Sequence, residues 1–251
     1  MTLKHLDLFS GIGGFALAAR WAGMETIGFS EIDPYASRIL KRHWPDVPNH
    51  GDIHGLRGVR ADIVTGGFPC QPFSCVGQRT GKADNRYLWP EMRRVISESD
   101  AAWVLGENVP ELDGVALDDV LADLENIGYE TATFEIPACG VGAAHRRRRL
   151  WIVAHATRNG MEKPEGQDWQ SLAGSCAPCG LDAIGEAGWP AEPRVGRVAH
   201  GIPDRVDRIK GLGNAIVPAI AYRFLKTIAN LEAHAERANV KDLPRRTEDS
   251  R

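Results

Sequence analysis

Residues 61–65, Ala-Asp-Ile-Val-Thr, are a short apolar and β-branched run that stops at Gly66-Gly67. Such a run reads as a buried strand. The nine residues GGFPCQPFS (66–74) follow, with Pro69 and Pro72 bracketing Cys70. Proline fixes its own φ and drives the preceding residue out of the helical region. Cys70 is therefore expected on a stiff loop just past the carboxyl end of a strand, which is where ligands bind in open α/β sheets. A cysteine taken alone is more often a small buried apolar residue. Two prolines, two glycines and the polar Gln71 make poor core packing, which favours an attacking thiol.

The same sentence of strand and turn recurs along the chain. Residues 6–9 read as a strand, Ser10-Gly11-Ile12-Gly13-Gly14 as a tight turn and 15–21 as a helix; a second strand over 26–30 ends at Glu31. Glycines here let a ligand approach the backbone. An acid about 20 positions after the first glycine of such a turn typically takes ribose hydroxyls, although an ordinary βαβ turn that binds nothing has the same pattern. Asp33 and Pro34 open a helix over 34–43 as N-cap and first residue. Asp52, between Gly51 and Ile53, has the type to accept from an adenine amino group, or to cap a turn.

Beyond the cysteine, residues 77–85 are polar and contain glycine, the composition of a mobile loop over a site. A helix is expected over 87–97 and a buried strand over 101–105, ending at Gly-Glu-Asn-Val-Pro (106–110). Glu107 thus repeats the placement of Cys70, though a strand-end glutamate is as often a solvated or capping residue. Helix over 118–127 and strand over 129–136 come next. His145 and four arginines (146–149) then run straight into an apolar strand at 150–154. Charge runs are usually solvated faces. This one abuts a strand, so alternate arginines face opposite ways and Arg147 and Arg149 share a face.

From residue 156 to about 209 apolar periodicity fades and Gly, Pro, Asp and Glu are frequent, which reads as a small loop-rich insertion. Its Cys176 and Cys179 have no second pair and no well-spaced histidine, so no metal site is expected. Arg194, Arg197, Arg205, Arg208 and Lys210 make its end basic, suited to phosphate contacts or to a solvated surface. Gly213 to Pro218 leads into an apolar-periodic helix over 219–231, and a charged tail is expected to fray. The net charge of −3 gives no global sign of a nucleic-acid partner, so any such partner is held by local patches. Five scattered cysteines describe no disulfide framework, which points to a reducing, cytoplasmic compartment. No apolar run reaches the length of a membrane span.

Taken together these residues resemble the cytosine-5 DNA methyltransferases. DLFSGIGGF (7–15) is similar to that family's first cofactor motif, GGFPCQPFS to its nucleophile motif, ENV (107–109) to its acid motif, HRRRR (145–149) to its Gln-x-Arg-x-Arg motif and GNAIVP (213–218) to its last motif. The resemblance implies an α/β, Rossmann-like S-adenosylmethionine-dependent methyltransferase sheet with helices on both faces and a small irregular target-recognition insertion. The implied divisions are a catalytic and cofactor domain over 1–155, a recognition region over 156–210, a returning C-terminal helix over 211–235 and a tail over 236–251. It further implies methyl transfer to carbon 5 of a cytosine flipped out of double-stranded DNA, by a monomeric bacterial or phage enzyme of the restriction-modification kind. Matched by position, Cys70 would be the nucleophile, Glu107 would engage ring nitrogen 3, and Arg147 and Arg149 would hold the base and its surroundings. Phe9, Gly11, Gly13, Gly14, Glu31, Ile32, Asp52, Ile53, Leu88, Asn214 and Ile216 would line the S-adenosylmethionine site, with Glu31 on the ribose. His145 stands where the family usually has glutamine, and the recognition segment is short.

Three other readings share parts of this pattern. An RNA (tRNA) cytosine-5 methyltransferase would use the same groups. A non-catalytic nucleic-acid-binding relative would have no need of a thiol between prolines. A nicotinamide-dependent oxidoreductase would account for the first turn and leave Cys70, Glu107 and the arginine run unexplained.

Overall fold

The computed structural model of the protein describes residues 2–69, 87–157 and 205–241. Cys70, the loop over 77–86, the CxxC pair, Arg194, Arg197 and the tail beyond residue 241 lie outside the described residues. Four short segments form β1 (Lys4–Leu8), β2 (Glu25–Ser30), β3 (Ile63–Gly66) and β4 (Trp103–Asn108). They pair in parallel, β1 lying between β2 and β3 and β4 beyond β3. Every residue of β4 is buried, as a strand with helices on both faces requires. The helices between are α1 (Gly14–Ala22), α2 (Pro34–His43), α3 (Trp89–Ser99) and α4 (Leu117–Asn126). Asp33 caps α2 by accepting from the Tyr35 and Ala36 amides at 2.9 and 3.1 Å, with Pro34 at the first position.

β5 (Tyr129–Pro137) and β6 (Arg148–Ala156) complete the sheet in the order β2-β1-β3-β4-β6-β5. A 3-10 turn, Ala138–Val141, lies between them. With no crossover helix they pair antiparallel, and β6 also runs opposite to β4. That reversal brings the arginine run to the carboxyl end of β4, where Asn108 pairs with Leu150.

The two faces of the sheet carry separate cores. Leu6, Leu8, Val64 and Val104 pack with Met92 and Ile96 of α3 and Val120 and Leu124 of α4. On the other face Ile63, Leu105, Trp151 and Val153 pack with Phe15 and Ala18 of α1 and with Ile220 and Leu225 of a last helix, α6 (Pro218–Lys241). Trp151 is fully buried, edge-on to Phe15 and stacked on Phe224. A side chain of this kind contributes about 1.5–3 kcal/mol or more on burial. The α/β sheet with helices on both faces is the fold expected from the sequence.

Two helical segments differ from expectation. Residues 205–214, read as the basic end of the insertion and a link leading to the last helix, form α5 (Arg205–Asn214), so a division at 210/211 falls inside a helix. Gly211 is there for proximity: a Cβ on it would stand 3.2 Å from Ile12 Cγ2 in the glycine-rich turn. The second is α6, which runs past residue 235 to Lys241. Its later residues are mostly good helix formers, and Glu232 accepts from Trp103 Nε1 at 2.6 Å.

A polar strip crosses the α1 side of the sheet. His5 lies between Thr26 Oγ1 (3.0 Å) and Thr65 Oγ1 (2.7 Å), and the Thr65 hydroxyl donates to Asp7 Oδ1 at 3.0 Å. Because Thr65 spends its one proton on Asp7, His5 Nε2 must donate and Nδ1 must accept from Thr26. Burial pushes the ring down to about 3 and the Asp7 carboxyl well up. The imidazole is neutral.

Candidate active site

The sheet's carboxyl edge carries two neighbouring groups of functional residues. The first surrounds the turn after β1. Phe9 adopts a left-handed backbone at φ 52°, which turns the chain sharply out of the strand. Gly11 shares that conformation, and a Cβ built on it would meet nothing within 4 Å, so its outer side is open. Gly13 and Gly14 are needed for the opposite reason. A Cβ on Gly13 would stand 2.6 Å from the Trp44 ring, and one on Gly14 would stand 2.6 Å from Ile216 Cγ1. The segment after α5 thus sits directly on the start of α1.

Glu31 is held from several sides. Its Oε2 accepts from the Gly11 amide at 2.7 Å and its Oε1 from the Asp33 amide at 2.6 Å, so the carboxylate ties the glycine turn to the start of α2. Asn49, which the sequence reading passed over, donates to the Glu31 carbonyl at 2.9 Å and accepts from the Glu31 and Gly51 amides. An asparagine two residues before a glycine in a loop is the available signal for such a turn. Next to this corner Ile32 is 70% exposed, and Lys210 of α5 pairs with Asp33 at 2.7 Å. Hydrogen bonds from Lys210 and two backbone amides hold the Asp33 carboxyl below the usual range.

Asp52 is exposed and caps the 3-10 helix Ile53–Gly55, its Oδ1 accepting from the His54 amide at 2.9 Å and lying 2.7 Å from His54 Nδ1. Those bonds hold its carboxyl low. The Ile53 side chain is buried in the core that Phe9 packs against. Its carbonyl accepts from Arg94 of α3 at 2.7 Å, and Leu88 is the half-buried N-cap residue of that helix. Asn214 is exposed at the end of α5, one residue before the Ala215–Ile216 contact region.

The second group lies at the ends of β3, β4 and β6. Glu107 is 7% exposed. Its Oε2 stands 3.5 Å from the position a Cβ would take on Gly67, and its Oε1 is 3.0 Å from Arg149 Nε. That last contact is an ion pair not aligned as a hydrogen bond, and Oε1 has no donor among the described residues. Burial pushes the Glu107 carboxyl up to about 6, against the opposing pull of Arg149 and Arg147. Asn108 Nδ2 donates to the Phe68 carbonyl at 3.1 Å. The backbone approaching residue 70 is thereby fastened to the strand that carries the acid.

The arginines divide their work. Arg149 faces Glu107, while Arg148 is exposed and pairs with Glu135. Arg147 is half-buried and its Nη2 donates to the carbonyls of Gly213 and Ala215, each at 2.8 Å. Its Nε is buried without a partner among the described residues. Burial, then repulsion from Arg149, lowers the Arg147 guanidinium from its usual value.

An open α/β sheet with a glycine turn after β1, an acid after β2 and an antiparallel pair at the far edge defines the fold of S-adenosylmethionine-dependent methyltransferases. The profile of the family described as C-5 cytosine-specific DNA methylase matches residues 3–174. The chain belongs to that family. It is 34% identical over 165 residues to the type II methyltransferase M.MspI of a Moraxella species, covering 62% of this chain and 39% of that protein. It is 36% identical over 159 residues to the type II methyltransferase M1.ScrFI of Lactococcus lactis subsp. cremoris, covering 60% and 41%. Among solved structures, a Spodoptera frugiperda DNMT2 variant superposes with a TM-score of 0.55 at 23% identity, over 66% of this chain and 53% of that one. A putative DNA modification methyltransferase from an Escherichia coli prophage gives 0.51 at 24% identity, over 62% and 47%. These likenesses carry the fold. The chain spans about two fifths of the length of the curated relatives it matches. No helix among the described residues is long and apolar enough to cross a membrane.

Proposed function

We propose that the protein is a DNA (cytosine-5-)-methyltransferase acting on a cytosine extruded from double-stranded DNA, with Cys70 as nucleophile and S-adenosylmethionine as methyl donor. The observation that carries this reading is Glu107: a buried carboxyl raised to about 6, beside Gly67 and against Arg149. Its backbone neighbour Asn108 fastens the peptide leading to Cys70. Stacking covers the ring faces through which carbons 5 and 6 react, and pairing occupies nitrogen 3, so extrusion is required.

The residues present suit the cofactor. The open side of Gly11, the half-buried ring of Phe9 and the exposed Ile32 offer apolar surface for a nucleoside, and Glu31 and Asp52 add acidic groups. Phe9, Glu31, Ile32, Asp52, Leu88, Asn214 and Ile216 would hold it, with Ile53 supporting from below. Each carboxylate oxygen of Glu31 already accepts one amide and retains a lone pair for a ribose hydroxyl. When bound, S-adenosylmethionine supplies an electrophilic methyl group on a sulfonium.

The protein's own groups do the rest. The Cys70 thiolate adds to carbon 6 of cytosine, and the ring π electrons shift toward nitrogen 3. Glu107, protonated in about a tenth of molecules at neutral pH from a value near 6, delivers a proton to that nitrogen. Carbon 5 thereby gains enamine character and becomes nucleophilic. After carbon 5 is methylated, its proton passes to a base, for which water suffices. The carbon 6–sulfur bond breaks to expel the thiolate, and nitrogen 3 returns its proton to Glu107, which restores the ring. While nitrogen 3 holds the proton, Arg149 stabilises the Glu107 carboxylate; it also offsets phosphate charge, and Arg147 supports the same face. Residues 156–210 would supply target recognition, and the enzyme would act as a cytoplasmic monomer.

Duplex DNA carrying 5-fluorocytosine tests this directly, because fluorine cannot leave as a proton does. With S-adenosylmethionine present, a covalent protein–DNA band is expected on a denaturing gel, and Cys70→Ser should remove it. An adduct on tRNA instead of DNA would move the substrate to RNA. No adduct on either, with cofactor bound, would leave a non-catalytic binder.

A further inference from the structure

Arg147 and Arg149 leave the same face of one strand end, yet only Arg149 comes within ion-pair distance of Glu107. The Arg147 guanidinium is committed elsewhere. Its Nη2 donates to Gly213 and Ala215 across 66 and 68 residues of chain, each at 2.8 Å. Both carbonyls belong to the last turn of α5 and the residue after it. The final carbonyls of a helix have no intrahelical donor, and the negative end of the helix dipole favours a cation there. Arg147 therefore caps α5 from another part of the molecule.

What it caps matters. One residue on, Ile216 rests over Gly14 so closely that a Cβ there would lie 2.6 Å from Ile216 Cγ1. The stretch 213–216 is fixed at two points, by Arg147 on one side and the first turn of α1 on the other. We propose that Arg147 is a positioning residue that clamps the segment 213–216, the wall of the cofactor site, to the strand end that carries the base-facing group Glu107–Arg149. It acts on the cofactor through Gly213 and Ala215 and not by touching it. The inference rests on the assignment of Asn214 and Ile216 to the cofactor site. Both bonds come from the one Nη2, whose two N–H donors are fixed in the guanidinium plane. An ammonium has the donors but is a freely rotating, more strongly hydrated point charge, and serves the role incompletely.

Binding of S-adenosylmethionine by calorimetry, together with hydrogen exchange at the Ala215 amide, tests this on the full chain. That amide is bonded to the Gly211 carbonyl and reports on the end of α5. Arg147→Met should weaken cofactor binding about 10- to 100-fold, as expected for loss of charge-assisted bonds, and should speed exchange at Ala215. Arg147→Lys should recover part of both. Arg146→Met removes an exposed charge next door and should leave both unchanged. If Arg147→Met does not fold, Arg147→Gln carries the same comparison. An affinity within twofold of the parent, with unchanged exchange, overturns the clamp. A parent that binds no S-adenosylmethionine overturns the proposed function instead, and the exchange readout still decides whether Arg147 holds α5.

Discussion

Replacing Glu107 with glutamine should change how the protein's stability depends on pH. The carboxyl is 7% exposed, and burial raises it from 4.5 to about 6 even with Arg149 Nε at 3.0 Å. A folded-state value above the unfolded one means that the stabilising contribution is complete below about pH 4.5 and is lost as pH rises through about 6. The gap is ~1.5 pH units, and each unit is worth about 1.4 kcal/mol, so burying the ionised group costs about 2 kcal/mol. Urea unfolding of parent and Glu107→Gln from about pH 4 to about pH 8 isolates it, because every other titrating group cancels in the difference. The variant should gain about 2 kcal/mol on the parent across that window. A difference that stays flat would refute the argument that burial governs this group. A difference of opposite slope would mean that the arginines outweigh desolvation, and Glu107 would then be a permanent carboxylate with no proton to deliver.

Two other positions test the scaffold under the site. His5 is buried neutral and pushed from 6.5 down to about 3, so its contribution is present above pH 6.5 and is lost as pH falls toward 3. Melting temperature should drop along that limb. His5→Phe should flatten it while costing about 1–3 kcal/mol at neutral pH, since Thr26 and Thr65 lose their buried partner. Gly14→Ala would drive a methyl group to 2.6 Å from Ile216 Cγ1, an overpacking cost of about 1–3 kcal/mol by urea unfolding. Adding Ile216→Ala should return most of it. A Gly14→Ala protein as stable as its parent would show that the segment 213–216 is free to move away.

Much of this was legible in the chain itself, for local reasons. A β-branched run closed by glycine marks β3, and short, largely apolar runs that stop at turn or acidic residues mark β1, β2 and β4, because a strand covered on both faces is mostly apolar and its end must turn. Asp33-Pro34 marks the start of α2 because capping is a contact between neighbours. The two-residue period of a strand put Arg147 and Arg149 on one face. A period assigns a face and leaves the partner open. Only packing decided that Arg149 meets Glu107 while Arg147 crosses to Gly213 and Ala215, and that Glu31 answers the amides of Gly11 and Asp33. The same holds for α5, whose Gly211 takes its reason only from Ile12 and Tyr35 packed against it. Contacts between residues far apart in the chain depend on how the layers stack and on which direction β6 runs. Those are properties of the assembled sheet, and no local run of residues carries them.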